Sequence, residues 1–456
     1  MKIIPFLLIL CLCLFSSCTK ELDIDPAQSL STSEALGDLP AMQIALNGAY
    51  NGLQGISHYG RDYLVVPEVS ANLVYVSFTN SGRFTGIYDY NFTTRNGYVG
   101  GVWNSLYNTI LRVNNILNNV DSLEGDEEQK NQIKGEALAI RALAYFDLVR
   151  FFGRPYTTGD PESDLGVPVL LVSEIGEPSR NTVAEVYAQV ISDLETAKGL
   201  LQNVGIYRFS PEAVDALLAR VYLYQGAWSK AESASTALID NPQYSLAPSF
   251  NALFANPGSS EEIFTLNFEV SESRGSNNLG AMYNPNQYGD IRVTSDLYDL
   301  YEANDSRRAM IYTENGELYQ RKFIAQQGIA GLHSPKILRL AEMYLIRAEA
   351  RYRQNEVDKA LEDLNVIRLQ RGASELTGLD NGILDIFHER QRELAFEGHT
   401  AFDLWRTGIT MVRAQCNTVV QINSPCEIEA SYFKTVFPIP DREMNVNPNM
   451  VQNEGY

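Results

Sequence analysis

Apolar positions recur at steps of three and four along most of this 456-residue chain. Leu138, Ala142, Tyr145, Val149 and Phe152 keep one stripe on one helix face, and Gly153 and Pro155 end it. Thr182 with Glu185 has the spacing of a capping box, opening a helix through Val186, Val190, Leu194 and Ala197. Ser210-Pro211 opens another that runs to Tyr224. Ile337, Ala341, Leu345, Ala348 and Tyr352 form a further stripe.

Two stretches repeat. In ARVYLYQGAWSKA, Ala219 and Ala231 are twelve apart, with Gly226 and Trp228 between them. In AEARYRQNEVDKA, Ala348 and Ala360 are twelve apart, with Asn355 and Val357 at the same offsets. The spacing resembles the tetratricopeptide helix–turn–helix, in which small alanines let two helices approach and Gly or Asn makes the turn. Segments 134–152 with 182–202, and 381–408, supply a third and a fourth unit. The predicted fold is therefore mainly α: a tetratricopeptide-like superhelix with units within about 134–240 and 336–408.

Two regions break the helical period. Residues 59–98 and 256–335 are rich in Gly, Asn, Ser and Tyr, with strand-like runs at Ile263–Phe268 and Met310–Tyr312. Long irregular insertions in a helical frame are usually functional or disordered, and the recurring tyrosines favour ordered loops.

The N-terminus changes the compartment. Phe6–Phe15 is an apolar run after Lys2, too short to span a bilayer, followed by Ser16, Ser17 and Cys18. This resembles a bacterial lipobox. Residues 1–17 then read as a signal, Cys18 as the lipidation site, 18–31 as a polar tether, and 32–456 as one domain. An ordinary secretory signal is the alternative. Of the remaining cysteines, Cys416 and Cys426 flank a plausible loop. An extracytoplasmic pair can oxidise, and two buried free thiols are the other reading; both stay open.

Net charge is −20, with 36 Lys and Arg against 56 Asp and Glu. No basic face stands out, which argues against nucleic acid and against adhesion to anionic lipid. Membrane attachment then rests on the lipid. The four histidines are scattered without ligand spacing, and no phosphate loop occurs, so neither a metal nor a cofactor is expected. Asp160, Glu162 and Asp164 could hold calcium, although a solvated acidic loop is the preferred reading. Glu393 and Glu397 lie one helical turn apart and could form a glycosidase pair. The interleaved Arg390, Arg392 and Arg406 favour ion pairs instead.

Five segments carry a family resemblance: RALAYFDLVRFFGRPY (141–156), GVPVLLVSEIGEPSRNTVAEVYAQVISDLETA (166–197), LRLAEMYLIRAEARY (338–352), RQRELAFEGHTAFDLWRTG (390–408) and FPIPDREMNVNPNMVQNEGY (437–456). Together, in this order, they resemble the SusD/RagB family of surface lipoproteins from Bacteroidetes. The resemblance implies a non-enzymatic nutrient binder, most often of glycans, seated on a SusC-type TonB-dependent outer-membrane transporter. Glu21, Asp23 and Asp25 resemble the family's export signal for the outer face. Thr400 stands where the family often has Arg, which is expected to weaken an ion pair near Asp403 and Arg406.

Sugar recognition uses aromatic faces for C–H patches and polar side chains for hydroxyls. Trp103, Trp228 and Trp405 fall in helix or turn motifs, so a platform must come from Tyr or Phe. The ring candidates are Tyr88, Tyr90, Tyr98, Tyr283 and Tyr288. The polar candidates are Arg83, Asn277, Asn278, Asn284 and Asn286. A peptide-binding member of the same family is the second reading, ahead of a surface glycosidase or an assembly scaffold.

Overall fold

A computed structural model describes residues 36–323, 325–413 and 425–456. The first helices are α1 (Leu39–Leu53), α2 (Asp62–Val69), α3 (Thr85–Tyr88) and α4 (Gly97–Leu117), with strand β1 (Val74–Val76) before α3. The helical frame continues through α5 (Glu127–Phe152), α6 (Val183–Leu200), α7 (Pro211–Gln225), α8 (Trp228–Ile239) and α9 (Phe250–Ala255). An irregular segment follows, with β2 (Glu262–Thr265), β3 (Ile291–Val293), α10 (Ser295–Leu300), β4 (Ile311–Glu314), β5 (Glu317–Gln320), β6 (Ala325–Gln326), β7 (Ile329–Ala330) and β8 (Lys336–Arg339). The C-terminal part holds α11 (Leu340–Arg353), α12 (Val357–Gln370), α13 (Ile383–Leu394), α14 (Thr400–Thr407), β9 (Met411–Val412), β10 (Glu427–Ile428) and α15 (Asp441–Val446).

The helices stack in series: α4 on α5, α5 on α6, α6 on α7, α7 on α8, α8 on α11, and α11 on both α12 and α13. The repeat spacing explains two of these pairs. Between α7 and α8 the chain reverses at Gly226 with φ +74°, and between α11 and α12 at Asn355 with φ +65°. Both lie in the left-handed region that Gly and Asn enter most readily. Ala219, Ala231, Ala348 and Ala360 are fully buried, so their small side chains set the close approach. The capping box is present: Glu185 N–H donates to Thr182 Oγ1 (3.2 Å), and Thr182 N–H donates to Glu185 Oε2 (2.9 Å).

The described strands pair only in antiparallel twos. One pair decides where the two irregular regions meet. β1 pairs with β3 in the register Val74–Val293, Tyr75–Arg292 and Val76–Ile291. Ser77 N–H extends the ladder to Asp290 O (2.8 Å). The segment after β1 therefore lies beside the segment before β3, although they are about two hundred residues apart in sequence.

The 390–408 motif is a buried ion network. Glu393 accepts from Arg339 Nη1 (2.6 Å), Arg371 Nη2 (2.8 Å) and Arg307 Nη1 (3.0 Å). Glu397 accepts from Arg339 and from Lys322 Nζ (2.7 Å). The cationic partners thus come from distant elements rather than from the Arg390, Arg392 and Arg406 that interleave in sequence. Those pair elsewhere: Arg390 and Arg406 with Asp403 (2.8 and 2.7 Å), and Arg392 with Glu389 (2.8 Å). The Asp403–Arg406 pair is formed with Thr400 in place, and Thr400 has a different partner. Its hydroxyl donates to Glu68 Oε2 (2.9 Å) from α2, and Gly398 and His399 N–H donate to Glu68 Oε1 (2.9 and 3.0 Å). A carboxylate from α2 thereby caps α14, where the helix dipole favours negative charge.

Candidate functional site

The site is built on the turn after β1. Gly82 (φ +84°) and Phe84 (φ +58°) both hold left-handed backbone. Such a conformation costs a bulky residue about 1–2 kcal/mol, so other contacts must hold it. The Phe84 ring supplies them: it is buried and stacked on Tyr98, with centroids 4.2 Å apart and planes at 19°. Tyr98 is positioned by the start of α4, where Asn96 Oδ1 accepts from Tyr98 N–H (3.0 Å) and Val99 N–H (3.2 Å).

Arg83 crosses to the second irregular region. Its guanidinium carbon lies 3.6 Å from the Tyr288 ring centroid. This is a cation–π stack, worth about 0.5–1 kcal/mol at a partly exposed site. Arg83 Nη1 also donates to Ser81 Oγ (2.7 Å). Ser81 is pinned by Asp290, whose Oδ1 accepts from Ser81 N–H (3.0 Å) and whose Oδ2 accepts from the Ser81 hydroxyl. Asp290 belongs to the β3 end of the ladder, so the ladder register sets the position of Arg83. Only one of the five Arg83 N–H donors is thereby used. Tyr288 OH donates to Ser276 Oγ (3.4 Å).

A second bridge lies alongside. Arg61 Nη1 donates to Asn277 Oδ1 (2.8 Å), and its Nε donates to Asp62 Oδ1 (2.7 Å). Burial pushes the Asp62 carboxyl up, against the opposing pull of Arg61. Phe78 lies in the same turn as Ser81 and Arg83. It follows directly on the β1–β3 ladder and is 75% exposed, although it is large and apolar. This turn and its neighbours offer an exposed phenyl ring, a half-buried tyrosine under a guanidinium, and amide groups. That combination can stack a flat apolar patch and hydrogen-bond hydroxyls.

The sequence candidates separate clearly. Arg83, Tyr98, Asn277 and Tyr288 come together here. Tyr88, Tyr90 and Tyr283 do not offer ring faces, because they are 2%, 4% and 1% exposed. Tyr88 lies under Arg413, whose guanidinium carbon is 4.1 Å from its ring and whose N–H groups donate to Ala71, Tyr88 and Val69 carbonyls. Tyr90 OH donates to Ser70 O (2.6 Å), and burial pushes its hydroxyl pKa well up. Tyr283 packs against Phe323 and Phe396. Burial in the core claimed all three rings. Asn278 is buried and donates to Ser273 Oγ (3.0 Å), which makes it a loop brace. Asn284 caps its own turn by accepting from Asn286 N–H (2.9 Å), and Asn286 is exposed.

Phe78 is the residue that sequence reasoning missed. Its signal was present: a lone aromatic in the polar run Ser77–Gly82 has no apolar neighbours with which to pack. Glu393 and Glu397, for which the sequence favours ion pairs over a glycosidase pair, are indeed held by cations. Burial alone would raise their pKa values; the surrounding Arg and Lys charges outweigh it and hold both below the usual range. Among the described residues no His, Cys, Asp and Glu side chains gather as a metal site. Asp164 Oδ2 instead accepts from Asp160 N–H (2.8 Å). Cys18 and Cys416, and residues Glu21, Asp23 and Asp25, lie outside the described residues.

Two family models match consecutive parts of the chain. One, described as "Starch-binding associating with outer membrane", matches residues 22–223. The other, described as "SusD family", matches residues 242–456. A solved structure described as a putative sugar binding protein from Bacteroides vulgatus is 32% identical, covers 92% of this chain and 99% of its own, and superposes with a TM-score of 0.84. The chain belongs to the SusD/RagB family. A SusD superfamily structure, also from Bacteroides vulgatus, is 30% identical over 92% of this chain and 99% of its own, with a TM-score of 0.85. SusD-like protein P2 of Formosa agariphila is 27% identical over 96% of both chains.

Proposed function

We propose that this SusD/RagB-family chain is a non-catalytic, lipid-anchored protein of the outer cell surface. It captures an oligosaccharide or polysaccharide and delivers it to a SusC-type TonB-dependent transporter. The observation that carries the binding role is Arg83 stacked over the half-buried Tyr288, with Asn277 held by Arg61 and with Phe78 exposed in the same turn as Arg83. Support for the cargo comes from the family description of starch binding at the outer membrane. Support for a binder rather than a hydrolase comes from the ion-paired state of the conspicuous carboxylates. Lipid on Cys18 supplies the anchor, and Cys416 with Cys426 closes a loop as a disulfide.

Calorimetry of the purified protein against a panel of polysaccharides and peptides tests the cargo, with chromatography to detect products. Saturable glycan binding that Phe78→Ala and Tyr288→Ala each weaken is expected, without products. Released sugar would overturn the non-catalytic reading, and binding confined to peptides would move the cargo to that class. Cys18→Ala should release the protein from membranes. Two reactive thiols in the unfolded, unreduced protein would rule out the disulfide.

A further inference from the structure

A cleft in the C-terminal part of the fold shares no lining residue with the Phe78–Tyr288 face and includes none of the site residues expected from sequence. It encloses about 390 Å³ where the chain after α5, the end of α14 and the C-terminal segment meet. That volume falls within the range of about 300–1,000 Å³ usual for small-molecule sites.

Its lining combines a ring with fixed polar groups. Tyr432 is exposed, and its ring is held edge-to-face by Phe433 at 4.9 Å and 62°. Asn453 Nδ2 donates to Phe152 O (3.0 Å) and Phe437 O (2.7 Å). Both amide hydrogens are thereby spent, and the Oδ1 of Asn453 is the acceptor it brings to the cleft. Arg154 Nη2 donates to Glu454 Oε2 (2.9 Å), and both side chains remain largely exposed. Their other N–H groups and oxygens are open to a ligand. Ser431 Oγ donates to Glu429 Oε2 (3.2 Å), which leaves the serine lone pairs as acceptors.

We propose that this cleft binds one neutral saccharide unit, as a second carbohydrate site independent of the Phe78–Tyr288 face. A pyranose presents a C–H patch that fits the Tyr432 ring, and hydroxyls that both donate and accept. The lining supplies both roles: Arg154 donates, while Asn453, Glu454 and Ser431 accept. Two carboxylates against one guanidinium disfavour an anionic ligand. The density of polar groups disfavours a lipid.

Crystals of the protein soaked in glucose, galactose, mannose and N-acetylglucosamine at high millimolar concentration test this directly. One pyranose should appear against Tyr432. Ser431→Trp, placed at an exposed position, fills the cleft and should abolish that density while leaving the melting curve unchanged. Tyr288→Ala should leave it in place, which separates this site from the face proposed above. A cleft empty of all four sugars overturns the proposal, and so does a sugar that persists in folded Ser431→Trp.

Discussion

Glu393 makes a demanding test of the ion network, because its side chain meets three guanidiniums inside the protein. Glu393→Gln removes the charge and keeps the shape. Breaking one partner of a buried ion pair costs about 3–5 kcal/mol, because the opposite charge is left uncompensated. Here the cations keep other partners. Arg307 retains Asp305 and Glu389, Arg339 retains Glu261 and Glu397, and Arg371 retains Glu261. The loss should therefore sit near the low end, at about 3 kcal/mol. With an unfolding entropy of about 2.1 cal/mol/K per residue, this lowers Tm by about 3–4 °C in a chain of this size. Differential scanning calorimetry reads the shift. The exposed Lys359–Glu356 pair serves as the control, and Glu356→Gln should change stability by less than about 0.5 kcal/mol. Glycan affinity of the folded Glu393→Gln protein should match that of the parent. A Tm equal to the parent's would refute the energetic argument. A glycan-cleaving activity that disappears in this variant would refute the structural role.

Glu68 gives a pH signature. Burial pushes its carboxyl from 4.5 up to about 6, against the hydrogen bonds from Thr400 and Gly398. The folded protein therefore holds this proton more tightly than the unfolded chain. The contribution is complete below about pH 4.5 and is lost as pH rises through 6, a difference of about 2 kcal/mol. Subtracting the Glu68→Gln stability profile from the parent's between pH 4 and about 7 should isolate that slope; parallel profiles would contradict it. Arg83→Lys keeps the charge but loses the planar stack on Tyr288, so glycan affinity should fall by about two- to fivefold in calorimetry. Gly226→Ala places a Cβ at φ +74°, and a loss of about 1 kcal/mol in urea denaturation is expected. Asn355→Gly, at φ +65°, should be neutral or slightly stabilising in the same assay.

Local chemistry made the helical frame legible in the residues themselves. Steps of three and four mark helix faces, Thr182 and Glu185 mark a start, and Gly226 and Asn355 mark turns. Each signal acts within a few residues, so no distant contact is needed to read it. Alanines twelve apart likewise announced two packed helix pairs, because close helix approach demands small side chains at those positions. The candidate face obeys a different logic. Arg83 and Tyr288 touch only because β1 pairs with β3 in one register, and no local pattern states that register. Five tyrosines in polar loops look alike in sequence. The fold buried Tyr88, Tyr90 and Tyr283, half-covered Tyr98 and Tyr288, and left Phe78 in solvent. The partners of Glu393 were equally hidden. Adjacent arginines in sequence suggested local pairs, but desolvation demanded more cations than one helix face could offer, and Arg307, Arg339 and Arg371 arrived from three separate elements. Local preference specified the elements, and long-range burial and pairing decided which side chains were left exposed.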